Sequence, residues 1–496
     1  MGEHLHTANR PLCGWAVGRW FPPRYSGSAF NFQDFGFPWM NWICSQIGAR
    51  EHYAVARALH RTGRLGTLYT DFWAEPVVRG AARWIPAGRL RSMAGRYHQE
   101  LDGSRRSEAR SQRAEIVSWN WRALAWEARL RGRADDRRRR TEGGTPNSGF
   151  NNHYRGFIEV GRRFACAVRD RLNRDNPSVQ DTLFFGYDTG ALEALEWCRE
   201  HGIPCIVDQM DPNRVEVKVV QAEEKIWPGW AARATEVPEE YFQRREEEWK
   251  LADRIVVNSR WSAEALVKQG VPAEKLAVVP LCYEVGRQNA EGREQKLSTF
   301  NFQPSTEKPL RVLFLGQVIL RKGIQYLVEA AKLLLGEPVC FDVVGPVGIS
   351  DEALRSAPAN MTFHGRANRD EAMAWYERSD VFVLPTLSDG FAITQIEAMA
   401  HGLPVIVTPN CGEVVSDGLD GFLVPARDAV ALAEVIRRLL AGPELMNSQR
   451  IAALKKSRQF TLERLGERLV ALEQGLKTET STQKPEAGRR NIQDRQ

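Results

Sequence analysis

Twice along this chain, short apolar runs alternate with stretches of helical spacing, and a polar interval separates the two series. This alternation restricts the fold more than any other feature. Strands that alternate with helices are satisfied by a parallel sheet whose faces the helices cover. In the first series Ala54, Val55, Ala58 and Leu59 follow helical spacing, and residues 65–70 read as a strand. Residues 182–185 read as a buried strand. Leu192, Leu195 and Cys198 share a helical face that Gly202 ends, and 203–207 is the next strand. Strand, helix and strand then follow at 253–257, 262–269 and 275–280.

The interval from Arg287 to Lys308 is polar and aperiodic, which reads as a linker. Beyond it, 312–315 is a strand, and Ile324, Leu327, Val328, Ala331 and Leu334 form one helical face. Later strands are expected at 339–344, 361–364, 381–384, 405–407 and 422–424. The resulting division is an unassigned extension over 1–45, one α/β domain over 46–286, a linker over 287–309 and a second α/β domain over 310–445. C-terminal helices follow over 446–476, then a polar tail over 477–496 that is expected to be disordered. In such sheets ligands bind beyond the carboxyl ends of the strands.

Composition narrows the class. Apolar residues make up 43% and charged residues 26%, as in ordinary globular chains. The apolar runs are too short to span a bilayer, and the first residues carry no apolar h-region, so a cytoplasmic protein is expected. The eight cysteines contain no C-x-x-C pair, and no H-E-x-x-H occurs, so no metal site is expected. The net charge of +6 is uneven: residues 76–140 hold 17 Arg and no Lys against 7 acidic residues, with Trp84, Trp119, Trp121 and Trp126 interleaved. One reading is peripheral contact with an anionic membrane, at the inner face of the membrane. The favoured reading is a solvated arginine face over a tryptophan-containing core. No nucleic-acid partner is expected.

The most informative segment is 379–406, which reads as strand, tight loop, helix, glycine stop and strand. Asp389 falls at the mouth of its helix, and Glu397 lies eight residues on, roughly 80° past two full turns. The amides of Phe391, Ala392, Ile393 and Thr394 are those of a helix start, which suits a diphosphate through free N–H groups and the positive dipole end. Taken alone, an acid pair at this spacing is more often a helix-terminal residue and a solvated charge; its context decides otherwise.

The segment resembles retaining glycosyltransferases of family 4, which have the GT-B architecture of two Rossmann-like domains facing across a central cleft. The resemblance rests on Asp389-Gly390-Phe391, Glu397-Ala398-Met399-Ala400 and Gly402-Leu403-Pro404-Val405. The family usually has Glu where this chain has Asp389. A second match is Gly316-Gln317 followed by Arg321-Lys322-Gly323, where members often have Arg in place of Gln317. A third is Phe363-His364-Gly365-Arg366, near the nucleotide base in the family.

The resemblance implies a nucleotide-sugar donor held by the second domain and a hydroxyl acceptor met by the first. It gives Glu397 the ribose, and Arg321, Lys322 and the amides near Ile393 the diphosphate. Asp389 and the backbone from Gly390 to Ala392 orient the sugar, and no metal is needed. Gly365 and Arg366 complete the donor side. Asp188 and Asp208, both at strand ends, are the acceptor-side candidates, with Asp188 where many members have His. Gly14, Gly18 and Gly27 are candidates for the family's N-terminal glycine-rich loop. His401 reads as a helix C-terminal cation and His153 as a capping or packing residue. The alternatives are a degenerate transferase-like binding protein, or an epimerase or phosphorylase on the same fold. An NAD oxidoreductase is disfavoured because no G-x-G-x-x-G follows a strand.

Overall fold

The computed structural model describes residues 40–74, 96–102, 114–120, 151–284 and 308–482. Residues 1–39 with Gly14, Gly18 and Gly27, most of the arginine stretch, the linker over 287–307 and the end of the tail lie outside the described residues.

The first half is built on β1 (Asn41–Gln46), β2 (Leu65–Thr70), β3 (Glu115–Ser118), β4 (Thr182–Tyr187), β5 (Cys205–Gln209), β6 (Arg254–Val257) and β7 (Leu276–Val278). They form a sheet of order β3-β2-β1-β4-β5-β6-β7, and each neighbouring pair is parallel. Its helices are α1 (Ala54–Arg61), α2 (Asn151–Asp175), α3 (Leu192–His201), α4 (Arg214–Ile226), α5 (Glu239–Leu251) and α6 (Arg260–Val267). All six residues of β4 are buried, because helices cover both faces of a central parallel strand. Gly202 ends α3 at φ +72°, a left-handed cap that suits a residue without Cβ.

The second half repeats the plan with β8 (Leu310–Leu315), β9 (Val339–Val344), β10 (Met361–Gly365), β11 (Val381–Leu384), β12 (Val405–Val407) and β13 (Phe422–Leu423). The order is β10-β9-β8-β11-β12-β13, again with parallel neighbours. Its helices are α7 (Ile324–Leu333), α8 (Asp351–Arg355), α9 (Arg369–Arg378), α10 (Ile393–Ala400) and α11 (Ala429–Ala441). Strand order reverses between β1 and β4 in one sheet and between β8 and β11 in the other. Each reversal opens a crevice at the carboxyl edge, where parallel sheets take their ligands.

Three boundaries differ from the sequence reading. Among the described residues the first strand begins at Asn41, inside the stretch left unassigned over 1–45. The loop that follows it holds Gly48 at φ +75°. The C-terminal helices are not a unit of their own. After α12 (Pro443–Ser457), whose Met446 and Ala453 join the second core, α13 (Leu462–Thr482) returns to the first domain. There Leu462, Leu465, Leu469 and Leu476 pack with Trp42, Ala58 and Leu59. Its Glu473, 2% exposed, accepts hydrogen bonds from Trp42 Nε1 and Arg64 Nε, both at 2.9 Å. The helix also runs through 477–482, where a disordered tail was expected.

Candidate functional site

The β8 and β11 loops meet at the second crevice, and glycines set how closely. Arg321 and Lys322 sit in a single 3-10 turn that Gly323 ends at φ +74°. A Cβ on Gly323 would lie 1.9 Å from the carbonyl oxygen of Pro385, so both the backbone conformation and the close approach require glycine. Gly316 is packed by Gly345, where an added Cβ would lie 1.7 Å from Gly316 O. Gln317 is exposed beside it.

This packing brings two cations against one carboxylate. Lys322 Nζ forms an ion pair with Asp389 Oδ2, and Arg321 Nη1 lies 3.8 Å from Asp389 Oδ1. Arg321 also donates to Ser388 O at 3.3 Å. Burial would raise the Asp389 carboxyl, but Lys322 and Arg321 outweigh it and hold it below the ordinary carboxylate range. The expected catalytic trio is thus brought together, and the carboxylate is charged.

The loop that carries Asp389 is latched to its neighbour. Asp389 N donates to Asn410 O at 2.9 Å and Ala392 N to Cys411 O at 3.1 Å. The Ala392 amide is therefore engaged, a correction to the four free amides read from the sequence. Ala392 is the N-cap of α10 and makes no side-chain cap, so the first-turn amides of Ile393 and Thr394 remain as helix-start donors. Phe391 is 7% exposed, with its ring near Phe460 at 6.3 Å, so its side chain belongs to the core. Gly390 meets the other domain: a Cβ there would lie 1.9 Å from Met210 O.

Glu397 lies about one turn into α10 and accepts a hydrogen bond from Tyr376 Oη of α9 at 2.8 Å. Burial raises its carboxyl, against the opposing pull of Tyr376 and Arg369. Arg369 reaches His52 Nε2 of the first domain at 3.2 Å. Gly365, at φ +73°, and exposed Arg366 stand at the end of β10, on the same carboxyl edge. His401 Nδ1 lies 2.8 Å from Glu397 O, close to the helix end as expected.

At the first crevice the two acceptor-side candidates divide. Asp188 is 4% exposed and ion-paired with Arg245, itself 1% exposed, while Arg50 lies 3.6 Å away. Arg245 also holds Asp211 at 2.8 Å and Asn213 Oδ1 at 3.0 Å, so it ties the loops after β4 and β5 together. Asp208 is 2% exposed, and its Oδ1 has no hydrogen-bond partner among the described residues. Burial, with Glu51 and Asp188 adding to it, pushes its carboxyl well above the ordinary range. Among the described residues no group of His, Cys, Asp or Glu is placed to hold a metal ion, and no helix is long and apolar enough to cross a membrane.

Sequence reasoning missed several residues that shape these edges. The sequence pattern assigns no role to Tyr376, which orients Glu397, or to Arg245, which lies in a charged helix. Glu216 of α4 crosses from the first domain to Arg321 at 3.1 Å. Glu223 of the same helix is fully buried and takes hydrogen bonds from Tyr326 at 2.9 Å and Gln325 at 3.0 Å of the second domain. Nothing in a one-dimensional pattern separates these glutamates from the solvated ones around them.

Comparison with known proteins finds glycosyltransferases similar in sequence and solved structures similar in fold. Residues 309–442 match the family model described as Glycosyl transferases group 1. The chain is 27% identical over 322 residues to a D-inositol 3-phosphate glycosyltransferase of Arthrobacter sp. (strain FB24), covering 60% of this chain and 70% of that one. It is 28% identical over 200 residues to the amylovoran biosynthesis glycosyltransferase AmsK of Erwinia amylovora, covering 37% and 46%. It spans about half the length (52%) of an uncharacterized 41.2 kDa protein in the cps region of Klebsiella pneumoniae. Among solved structures it resembles Anabaena HepE in complex with UDP and glucose, at a TM-score of 0.52 and 13% identity over 88% of this chain and 100% of that one. It also resembles the sucrose-phosphate synthase of Thermosynechococcus elongatus, at a TM-score of 0.53 and 17% identity over 89% and 100%. The fold is GT-B: two Rossmann-like domains with their carboxyl edges facing one another.

Proposed function

We propose that this chain is a retaining, hexosyl-transferring glycosyltransferase of family 4. It would move a sugar from a nucleoside diphosphate to an acceptor hydroxyl on a glycan, lipid or small molecule. The observation that carries this reading is the convergence of Arg321 and Lys322 on Asp389, beside the α10 start and at the switch point of the second sheet. The glycosyltransferase family match over that half and the relatives' names support it.

In this reading the donor's diphosphate lies against Arg321, Lys322 and the amides near Ile393. Negative charge grows on the leaving diphosphate as the glycosidic bond breaks, and fixed cations in a desolvated cleft meet it without reorganising. They do the work that a metal would otherwise do, so none is required. Glu397, oriented by Tyr376, accepts the ribose hydroxyls. Asp389 and the backbone from Gly390 to Ala392 orient the sugar. The acceptor hydroxyl approaches from the first domain, and its proton passes to the leaving phosphate. Contact between the domains excludes the water that would hydrolyse the donor.

A thermal-shift panel with UDP, GDP, ADP, dTDP and NAD tests this. A ligand at about 100 times its Kd adds roughly 2.7 kcal/mol, a readable shift. One nucleoside diphosphate is expected to stabilise the protein, with the shift lost in Glu397→Ala. Stabilisation by NAD alone would overturn the reading.

A further inference from the structure

Glu216 stands in the first turn of α4, in the first domain, yet its carboxylate reaches the cations of the second. Its Oε2 accepts from Arg321 Nη1 at 3.1 Å and from Ser388 Oγ at 3.4 Å. The charged and titratable groups that face it come from four places. Arg321 and Lys322 come from the turn before α7, and Asp389 from the loop after β11. Asp211 comes from the loop after β5, and Tyr154 from α2. Asp211 is ion-paired with Arg245, while the two cations are in direct contact with two carboxylates, Asp389 and Glu216.

A diphosphate that enters this cluster must displace one of the two. Asp389 belongs to the same domain as Arg321 and Lys322 and is held charged by Lys322. Glu216 belongs to the other domain. Burial, opposed by Arg321, pushes its carboxyl up to about 7, so near neutrality it is easily discharged. We infer that Glu216 is a positioning residue that stands in for the donor's diphosphate: it holds Arg321 before the donor binds and is exchanged for the diphosphate as the donor arrives. The inference rests on the donor reading above. It gives the site a regulation that the motif does not contain, because donor entry breaks a contact between the two domains.

Isothermal titration with UDP tests it on wild type, Glu216→Gln and Arg321→Met, and on the double variant. A competing carboxylate that titrates at about 7 leaves roughly a tenth of the protein competent at pH 8. Glu216→Gln is therefore expected to bind UDP about tenfold more tightly at pH 8, with the two proteins converging at pH 6. UDP's own titration is common to both and cancels in the ratio. In the Arg321→Met background the Gln substitution is expected to bring no gain.

Equal affinities of wild type and Glu216→Gln at pH 8 would overturn the inference, as would a gain that persists without Arg321. If Glu216→Gln does not fold, Glu216→Asp withdraws the carboxylate by one methylene. It should then give a smaller gain of the same sign, and its absence counts equally against the idea. Binding of UDP to wild type that is weakened in Arg321→Met but unchanged in both Glu216 variants would leave the donor reading standing and this one refuted. If neither wild type nor Glu216→Gln binds UDP, GDP, ADP or dTDP, both readings fall.

Discussion

The two crevices share one backbone plan and differ in how their charges are settled. In the second domain, at the β8/β11 reversal, a carboxylate meets two cations, and Asp389 is held below its ordinary range. In the first, at the β1/β4 reversal, Arg245 is committed to Asp188 and Asp211. Asp208 Oδ1 and both carboxylate oxygens of Glu51 are buried without hydrogen-bond partners among the described residues. Burial there pushes Glu51 up to about 7 and Asp208 well above its ordinary range. The motif edge is therefore charged and paired, whereas the other joins an ion-paired cluster to two carboxyls that burial drives towards neutrality. Topology provides the crevice in both cases, while side-chain pairing decides what chemistry each can meet.

The largest expected effect separates the edges directly. Lys322→Ala is expected to lower kcat by about 100- to 1,000-fold, the usual cost of removing one preorganised group that meets developing charge. Sugar transfer followed by product analysis checks it, with Tm as a control. The same variant should change the acid limb of stability. Asp389, depressed in the fold, contributes stability that is present above the unfolded carboxyl value and lost as pH falls through the folded one. Weakening that pair should flatten the loss. Full activity in Lys322→Ala would mean that the charged edge is structural, and the contrast between the crevices would lose its functional meaning.

How much of this could be read in advance follows the same division. The second domain's strands and helices were legible because 310–445 keeps an unbroken strand–helix rhythm with little inserted chain. Asp389 and Glu397 stood out as candidates because they sit in a dense local pattern of Gly, Ala and Pro, and Lys322 because it precedes Gly323 in a strand–loop–helix unit. The first domain was harder. Strand β3 is four residues long and lies inside the arginine stretch, and α2 begins beyond it with a mostly polar surface. The strand has only two consecutive apolar residues, Ile116 and Val117, and the apolar face of the helix, Phe164, Val168 and Leu172, is diluted by arginines. The return of α13 was invisible, since its leucines spell an amphipathic helix without saying whose core they join. The pairing of Asp188 with Arg245 spans 57 residues, and that of Glu216 with Arg321 spans 105. Contacts at such separations are set by the fold, and one sequence carries no sign of them.

The acceptor-side pair offers the finer test, because its two aspartates are expected to respond oppositely. Asp188→Asn removes a charged partner from buried Arg245, which keeps Asp211 and Asn213. A loss of about 1.5–3 kcal/mol is expected, the scale of a hydrogen bond to a charged group. Asp208→Asn should cost little, since the amide reproduces the donor and acceptor of a protonated acid. The sign with pH follows from linkage. Asp208 binds its proton more tightly folded than unfolded, so its contribution is fully present below the unfolded value of about 3.9 and declines as pH rises above it. The asparagine does not titrate. Relative to wild type, Asp208→Asn should therefore be near neutral at pH 4 and become progressively more stabilising towards pH 8, as denaturant melts across that range would show. A variant that is equally destabilised at every pH would place a charged, paired Asp208 in the folded protein. The first crevice would then be no more neutral than the second, and the difference between the two edges would lie in sequence pattern alone.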